Sequence, residues 1–166
     1  MTKKLFISAL LLLISLHSFA QWPCTAISEE YLKEYFKVTD QKVSKKTVFS
    51  PYQICSYKWT SKVKQYKTSG SLELLVDLDN QLSITLVKLT GDDPQKSFQG
   101  SIQGMNTTYT PVTTLDGEAV WFPEKNQLSI LYKNHLIHIS LEYYDDTIGN
   151  KHHCVVIAQK VLENIN

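Results

Sequence analysis

The sequence contains no arginine, since all 17 positions that are Lys or Arg are lysine. Arginine supplies the planar fork that recognises phosphate, carboxylate and guanine through paired hydrogen bonds. We therefore predict no nucleic-acid partner. The formal net charge of +1 is too small to indicate a partner by itself.

No apolar run in the sequence is long enough to cross a membrane. The longest covers residues 5–16 and contains two serines, whereas a transmembrane helix needs about 20 apolar residues. Two lysines precede this run, and Ser18-Phe19-Ala20 places small residues at the −3 and −1 positions of a cleavage site. We predict a signal peptide over residues 1–20, cleaved near Ala20, and no stable membrane insertion. A retained anchor is the alternative.

The mature chain has the size of one domain, because cleavage leaves 146 residues (166 minus 20). A lipid anchor would need a cysteine directly after the cleavage site, but Cys24 follows Trp22-Pro23 instead. Neither a linker nor a repeat divides the chain. We expect a single domain over residues 21–166, located in the periplasm or secreted.

The chain has three cysteines, Cys24, Cys55 and Cys154, and none has the C-x-x-C spacing of a zinc or thioredoxin-like site. An exported domain can keep disulfides. Cys24 precedes the first predicted helix and Cys55 lies in a strand-like segment, so we predict that these two form a bridge. Cys154 lies on the apolar face of the last predicted helix. We interpret it as a small buried side chain, with a reactive thiol as the alternative.

Catalytic motifs are also missing. Residues 100–104 place a serine at the wrong offset for a Gly-x-Ser-x-Gly elbow, and paired acids at predicted helix starts and turns are explained by capping. His135 and His138 are three apart on one strand and therefore point to opposite faces. We predict no catalytic residue, no metal and no cofactor, and we favour a non-enzymatic protein. A haem or metal site that uses His138, His152 or His153 is the alternative.

Capping signals and periodicity predict three helices. Ser28 and the acids after it indicate a helix over residues 29–36. Asp93-Pro94 opens a second helix, and the apolar spacing of residues 154–165 predicts a third. Alternating apolar residues predict strands over residues 53–59, 72–78, 82–86, 119–122, 128–132 and 135–144.

The strand order predicts an α+β fold. We interpret Asp79-Asn80-Gln81 as a hairpin turn and residues 39–47 as a loop. Consecutive hairpins indicate a mostly antiparallel sheet. The N-terminal, central and C-terminal helices are expected to pack on one face of that sheet.

Charge is unevenly distributed along the chain. Residues 41–72 contain seven lysines and no acid, whereas residues 73–166 contain twelve acids and six lysines. One interpretation is a solvated loop and strand edge. The other is a contact surface for an anionic partner, such as a lipid headgroup, an acidic glycan or an acidic protein face. The candidate interaction residues are Lys58, Lys62, Lys64 and Lys67.

Aromatic residues suggest a second candidate site. Most of them are expected to pack in the core or across strands. A concave sheet face is a common place for a ligand. The candidate pocket residues are Trp121, Tyr132, Tyr143 and Tyr144.

Four short segments carry a resemblance to known proteins: Pro23-Cys24, Cys55-Ser56-Tyr57-Lys58-Trp59, residues 115–121 and residues 157–162. In these segments the chain resembles a class of small exported bacterial proteins of unknown function with a PsbP-like α+β fold. The resemblance implies a disulfide between the two early cysteines and carries no catalytic residues. The chain departs from the actinobacterial members because it lacks a lipobox.

The leading hypothesis is an exported, non-enzymatic binding or protein-interaction module, such as a periplasmic accessory or an immunity-type protein. A carrier of a small ligand, for example haem or a hydrophobic molecule, ranks second. A small secreted hydrolase ranks third.

Overall fold

A computed structural model describes residues 24–38, 43–49, 52–69, 72–89, 91 and 93–165. The predicted signal peptide, residues 1–20, lies outside the described residues. Within them, helices α1, α2 and α3 span Glu29–Tyr35, Pro94–Gly104 and Asn150–Glu163. Strands β1 to β7 span Ser44–Phe49, Gln53–Ser69, Leu72–Lys88, Thr110–Pro111, Glu118–Phe122, Gln127–Tyr132 and His135–Glu142. A short 3-10 helix, Pro123–Lys125, joins β5 to β6.

The strands form one seven-stranded sheet in the order β1-β2-β3-β7-β6-β5-β4. Every neighbouring pair is antiparallel. The last strand, β7, lies between β3 and β6, so it joins the N-terminal part of the sheet to the C-terminal part. The predicted α+β class and antiparallel sheet are confirmed.

The helices pack on both faces of the sheet, so the expectation that all three share one face is wrong. Helices α1 and α3 cover the face that carries Ile137 and Ile139, whereas α2 covers the opposite face through Phe98 and Ile102. The reason lies in β5, where consecutive residues are apolar and contribute to both clusters. Such continuous apolar strands are typical of sheets that are covered on both sides.

Strand β3 is a single strand of 17 residues, so the hairpin turn predicted at residues 79–81 is wrong. Asp79 pairs with Thr60 in the ladder. Asn80 is fully buried, and its amide binds the carboxylate of Asp145. Asp145, which is distant in the sequence, thus provides a hydrogen-bond partner for Asn80, a residue type that otherwise favours a turn. Likewise, part of the predicted loop over residues 39–47 is β1, which pairs with β2.

The first helix and the disulfide fix the N-terminal segment to the sheet. The Ser28 hydroxyl accepts a hydrogen bond from the backbone N–H of Tyr31 at 3.1 Å, which caps α1 as predicted. Cys24 and Cys55 form a disulfide with a Cα–Cα distance of 5.2 Å, so the predicted bridge is confirmed. The hydroxyl of Tyr57 donates to the carbonyl of Ile27 at 2.9 Å and holds the same segment from within the core.

Reduction of the disulfide should lower the free energy of unfolding. The bridge closes a loop with a sequence separation of 31, and loop entropy of that length corresponds to about 3.5 kcal/mol. Urea denaturation of the oxidised and the reduced mature chain measures the difference. A difference below about 1 kcal/mol would contradict this role of the bridge.

Candidate functional site

The outer halves of β2 and β3 project from the sheet as a two-stranded ribbon, here called the arm (residues 60–69 and 72–80). Strand β1 pairs with β2 only over residues 53–58, and β7 pairs with β3 only over residues 81–88. Among the described residues, no third strand therefore borders the arm on either side. Nine strand residues extend about 30 Å. Since an isolated two-stranded ribbon is marginal in water, the arm is a natural place for a partner to add contacts.

A β-bulge lies where the arm joins the sheet, and the side chain of Asp145 forms hydrogen bonds with residues of the bulge. The β2–β3 register shifts within residues 60–64. The carboxylate of Asp145 accepts hydrogen bonds from the Ser61 hydroxyl and from the backbone N–H of Lys62, the latter at 2.6 Å. Its other oxygen accepts from the buried amide of Asn80 at 2.9 Å. A single side chain thus satisfies three donors where the arm begins.

Replacing Asp145 with alanine should destabilise the arm. The Asn80 amide would lose the carboxylate that it binds inside the protein, so we expect a loss of about 2–4 kcal/mol in the free energy of unfolding. Urea denaturation measures the loss, and hydrogen exchange should show faster exchange in the arm.

The matched control is Asp77→Ala, which removes only the half-exposed ion pair with Lys64. We expect it to cost less than about 1 kcal/mol. Equal losses for the two variants would show that Asp145 has no special role.

Large apolar side chains are exposed on the arm. Tyr66 is 68% exposed, Leu75 53% and Leu74 51%. Tyr66 lies directly opposite Leu75 in the ladder, so these two share a face, and Leu74 lies on the other face. Tyr66 and Leu75 thus form a small exposed apolar patch on one face of the arm, and larger patches of this kind mark interaction sites in many proteins.

Ion pairs with β3 occupy two of the four candidate lysines. Lys58 pairs with Asp79 at 2.7 Å, and Lys64 pairs with Asp77 at 3.1 Å. Lys58 lies at the base of the arm, within the part of β2 that also pairs with β1. Both pairs are about half exposed and are therefore weak.

The other two candidate lysines, Lys62 and Lys67, are exposed on the arm. Among the carboxylates that the structure describes, none lies within 4.0 Å of either ammonium group. The structure therefore brings Lys62, Lys64 and Lys67 together on one strand of the arm, and the unneutralised positive charge lies on that strand.

The four candidate pocket residues do not line one cavity, so that prediction is corrected. Tyr132 ends β6 and pairs with His135 at the start of β7, whereas Tyr143 follows the far end of β7. The eight residues of β7 separate the two tyrosines by about 27 Å along the sheet. Trp121 is buried in the core, and Tyr144 is exposed.

Two of these aromatic residues nevertheless have informative surroundings. The ring of Tyr143 packs on Phe36, with 4.7 Å between centroids, and belongs to the core between α1 and α3. Tyr132 borders an open groove of about 380 Å³ between the β4–β5 loop and the end of α3. The groove is lined by Thr114, Leu115, Asp116, Tyr132, Gln159, Leu162 and Glu163.

A chain of hydrogen bonds centred on the buried His153 links Tyr35 to Asp146, and sequence reasoning missed it. The Tyr35 hydroxyl lies 2.9 Å from Nδ1 of His153, and Nε2 of His153 lies 3.0 Å from the Asp146 carboxylate. Burial acts to raise the pKa of Asp146, but hydrogen bonds from His153 and from the Ile148 backbone lower it overall. His153 is only 5% exposed, whereas Asp146 is exposed, so this chain connects α1 and α3 to the loop that precedes α3.

His138, which is partly buried, forms a hydrogen bond with the buried Ser129. Nδ1 of His138 lies 2.8 Å from the Ser129 hydroxyl, and burial lowers the pKa of His138 to about 4. The imidazole is therefore neutral at pH 7, and its tautomer sets which of the two groups donates in this hydrogen bond. Although a serine and its base have this geometry in hydrolases, Ser129 is only 2% exposed and cannot meet a substrate without a rearrangement.

The pKa of His138 makes stability depend on pH. The ordinary value of 6.5 applies to the unfolded chain, and burial lowers the folded value to about 4. Between these values the unfolded chain binds a proton that the folded chain does not, so stability falls as the pH falls from 6.5 to 4. The full effect is about 3 kcal/mol.

Urea denaturation at several pH values measures this dependence. His138→Gln, which keeps an acceptor for Ser129, should flatten the profile in that range. His152→Gln, a change at an exposed position, should leave it unchanged. An unaltered profile in the His138 variant would rule out the mechanism.

Neither the free cysteine nor a group of metal ligands offers a further reactive site among the described residues. Cys154 is a free, fully buried cysteine, and burial raises the pKa of its thiol to about 12. The interpretation of Cys154 as a small buried side chain is confirmed. Among the described residues, no three His, Cys, Asp or Glu side chains lie together in a way that could hold a metal ion.

Within the same residues, no helix is long and apolar enough to cross a membrane. No family model, curated protein or solved structure matches this chain. The function proposed for the chain therefore rests on the arm.

Proposed function

We propose that the protein is an exported, non-enzymatic binding module that docks a partner protein through the arm. The observation that carries this proposal is the ribbon itself. Its two strands lack neighbours among the described residues, and Tyr66, Leu74 and Leu75 are more than half exposed on it. A ribbon of this kind gains stability from a partner and otherwise exposes apolar surface to water.

The charge on the arm favours an anionic partner surface. Asp77 is already paired with Lys64, whereas Lys62 and Lys67 have no carboxylate within ion-pair distance among the described residues. A partner with acidic side chains would pair with these two lysines.

Three features support export. The N-terminal segment has the pattern of a signal peptide. A disulfide is present, and disulfides persist in oxidising compartments. The resemblance to exported bacterial domains with a PsbP-like fold supports the same proposal.

The groove beside Tyr132 favours a second candidate function, the carrier of a small ligand. Its volume of about 380 Å³ lies within the range of ligand pockets. However, the groove is open, and its lining includes the carboxylates of Asp116 and Glu163. These features fit a small polar or cationic molecule better than haem or a hydrophobic ligand, so this candidate ranks second.

Affinity capture tests the arm. The mature protein is immobilised and exposed to envelope and culture-medium extracts of the organism that produces it. We expect one protein to be retained in stoichiometric amount. Reversing three charges in K62E/K64E/K67E should weaken its binding about tenfold or more, because acidic side chains would face acidic side chains.

The matched control reverses three lysines outside the arm, in K88E/K96E/K151E, and changes the net charge equally. It should bind within about twofold of the original protein. Equal weakening by both variants would show a nonspecific charge effect and would contradict docking through the arm.

A further inference from the structure

We propose that the partner binds the arm by strand addition. An extended acidic segment of a different protein would pair with the outer edge of β2 at residues 64–69. This inference rests on the proposed function and specifies how the same surface binds.

Among the residues that the structure describes, no strand pairs with the outer edge of β2 in the arm. Strand β3 pairs with one side of residues 64–69, and β1 leaves the other side after residue 58. In an antiparallel strand, alternate residues direct their N–H and C=O groups to each side, so an unpaired edge offers a row of donors and acceptors. An added strand would continue the line of β1 along this edge.

Charge distinguishes the two edges of the arm. The β2 strand of the arm carries Lys62, Lys64 and Lys67, and the β3 strand carries Glu73, Asp77 and Asp79. Opposite charges on neighbouring strands are favourable and like charges are not. An acidic strand therefore fits the β2 edge and is repelled by the β3 edge.

A second copy of the chain fits this edge poorly. Two-fold pairing would place lysines opposite lysines at the β2 edges, or acids opposite acids at the β3 edges. Stacking β2 of one arm on β3 of the next would space the arms by about 10 Å, the width of two strands. Each molecule has a seven-stranded sheet, about 34 Å wide, so the sheets would collide.

An anionic membrane also fits poorly. Lys64 and Asp77 lie opposite each other on the face that carries Tyr66 and Leu75. A bilayer that contacted these apolar side chains would also meet the carboxylate of Asp77. A strand at the β2 edge can pair with the lysines and avoid the acids of β3.

The experiment uses the mature chain, labelled with nitrogen-15, and a defined probe. The probe is an acetylated, amidated peptide, Thr-Glu-Val-Glu-Val-Glu-Val-Thr. At a peptide concentration ten times its Kd, exchange of the outward-pointing amides of residues 64–69 should slow about tenfold. The β3 amides should not change, and a peptide with lysine in place of glutamate should have no effect.

Proline variants test the backbone contact itself. Neighbouring amides at Gln65 and Tyr66 point to opposite sides, and hydrogen exchange of the free protein identifies the outward one as the faster. Proline at that outward position removes a donor from the docked strand and leaves the β2–β3 ladder in place. We expect the peptide affinity to fall at least about tenfold. The matched control places proline in β3, at whichever of Leu75 and Val76 has the outward amide. This variant should change the peptide affinity less than about twofold.

The outcomes separate this inference from the proposed function. If K62E/K64E/K67E loses the peptide but the outward proline variant of β2 keeps it, the partner docks on side chains, and only strand addition is overturned. Protection along β3, or no protection at millimolar peptide, also overturns strand addition. Lysine-dependent binding to phosphatidylglycerol vesicles, or self-association of the free protein, would identify a different occupant and overturn both proposals.

Discussion

The carboxylate of Asp145 is the interaction on which the arm depends. It binds the backbone of Lys62 and the buried amide of Asn80 at the bulge where the arm begins. The next residue, Asp146, binds His153 of α3. Two consecutive carboxylates therefore tie the arm and the last helix to the same loop.

The sheet changes in character from one edge to the other. Strands β5, β6 and β7 lie between α2 on one face and the other two helices on the opposite face, so their apolar side chains are buried on both sides. Within the described residues, no apolar side chain of the arm belongs to either of the two clusters that the helices cover. Local opening is easiest where few apolar contacts are buried. The proposed binding surface thus lies on the part of the sheet that buries the fewest apolar side chains.

Local signals predicted the helices, the strand alternation and the disulfide, because caps, periodicity and cysteine position depend on neighbouring residues. They failed at residues 79–81, where turn-forming side chains lie inside a strand because Asn80 binds Asp145, which is distant in the sequence. The choice of the candidate lysines rests on the same kind of local signal. The ion pairs that Asp77 and Asp79 form with two of these lysines were not predicted, because they depend on the register of two strands. The prediction of an aromatic pocket failed because residue type does not show which side chains are neighbours on a sheet. That information depends on the strand register.

The charges on the arm explain how a long edge that has no partner strand among the described residues can persist. An edge with exposed tyrosine and leucine invites pairing between copies, and proteins commonly prevent it with lysine. Here Lys62, Lys64 and Lys67 line one edge, and acids line the other, so both two-fold pairings bring like charges together. In the proposed docking mode, the same lysines would attract an acidic strand. Protection from self-pairing and the proposed selection of a partner would then follow from one distribution of charge.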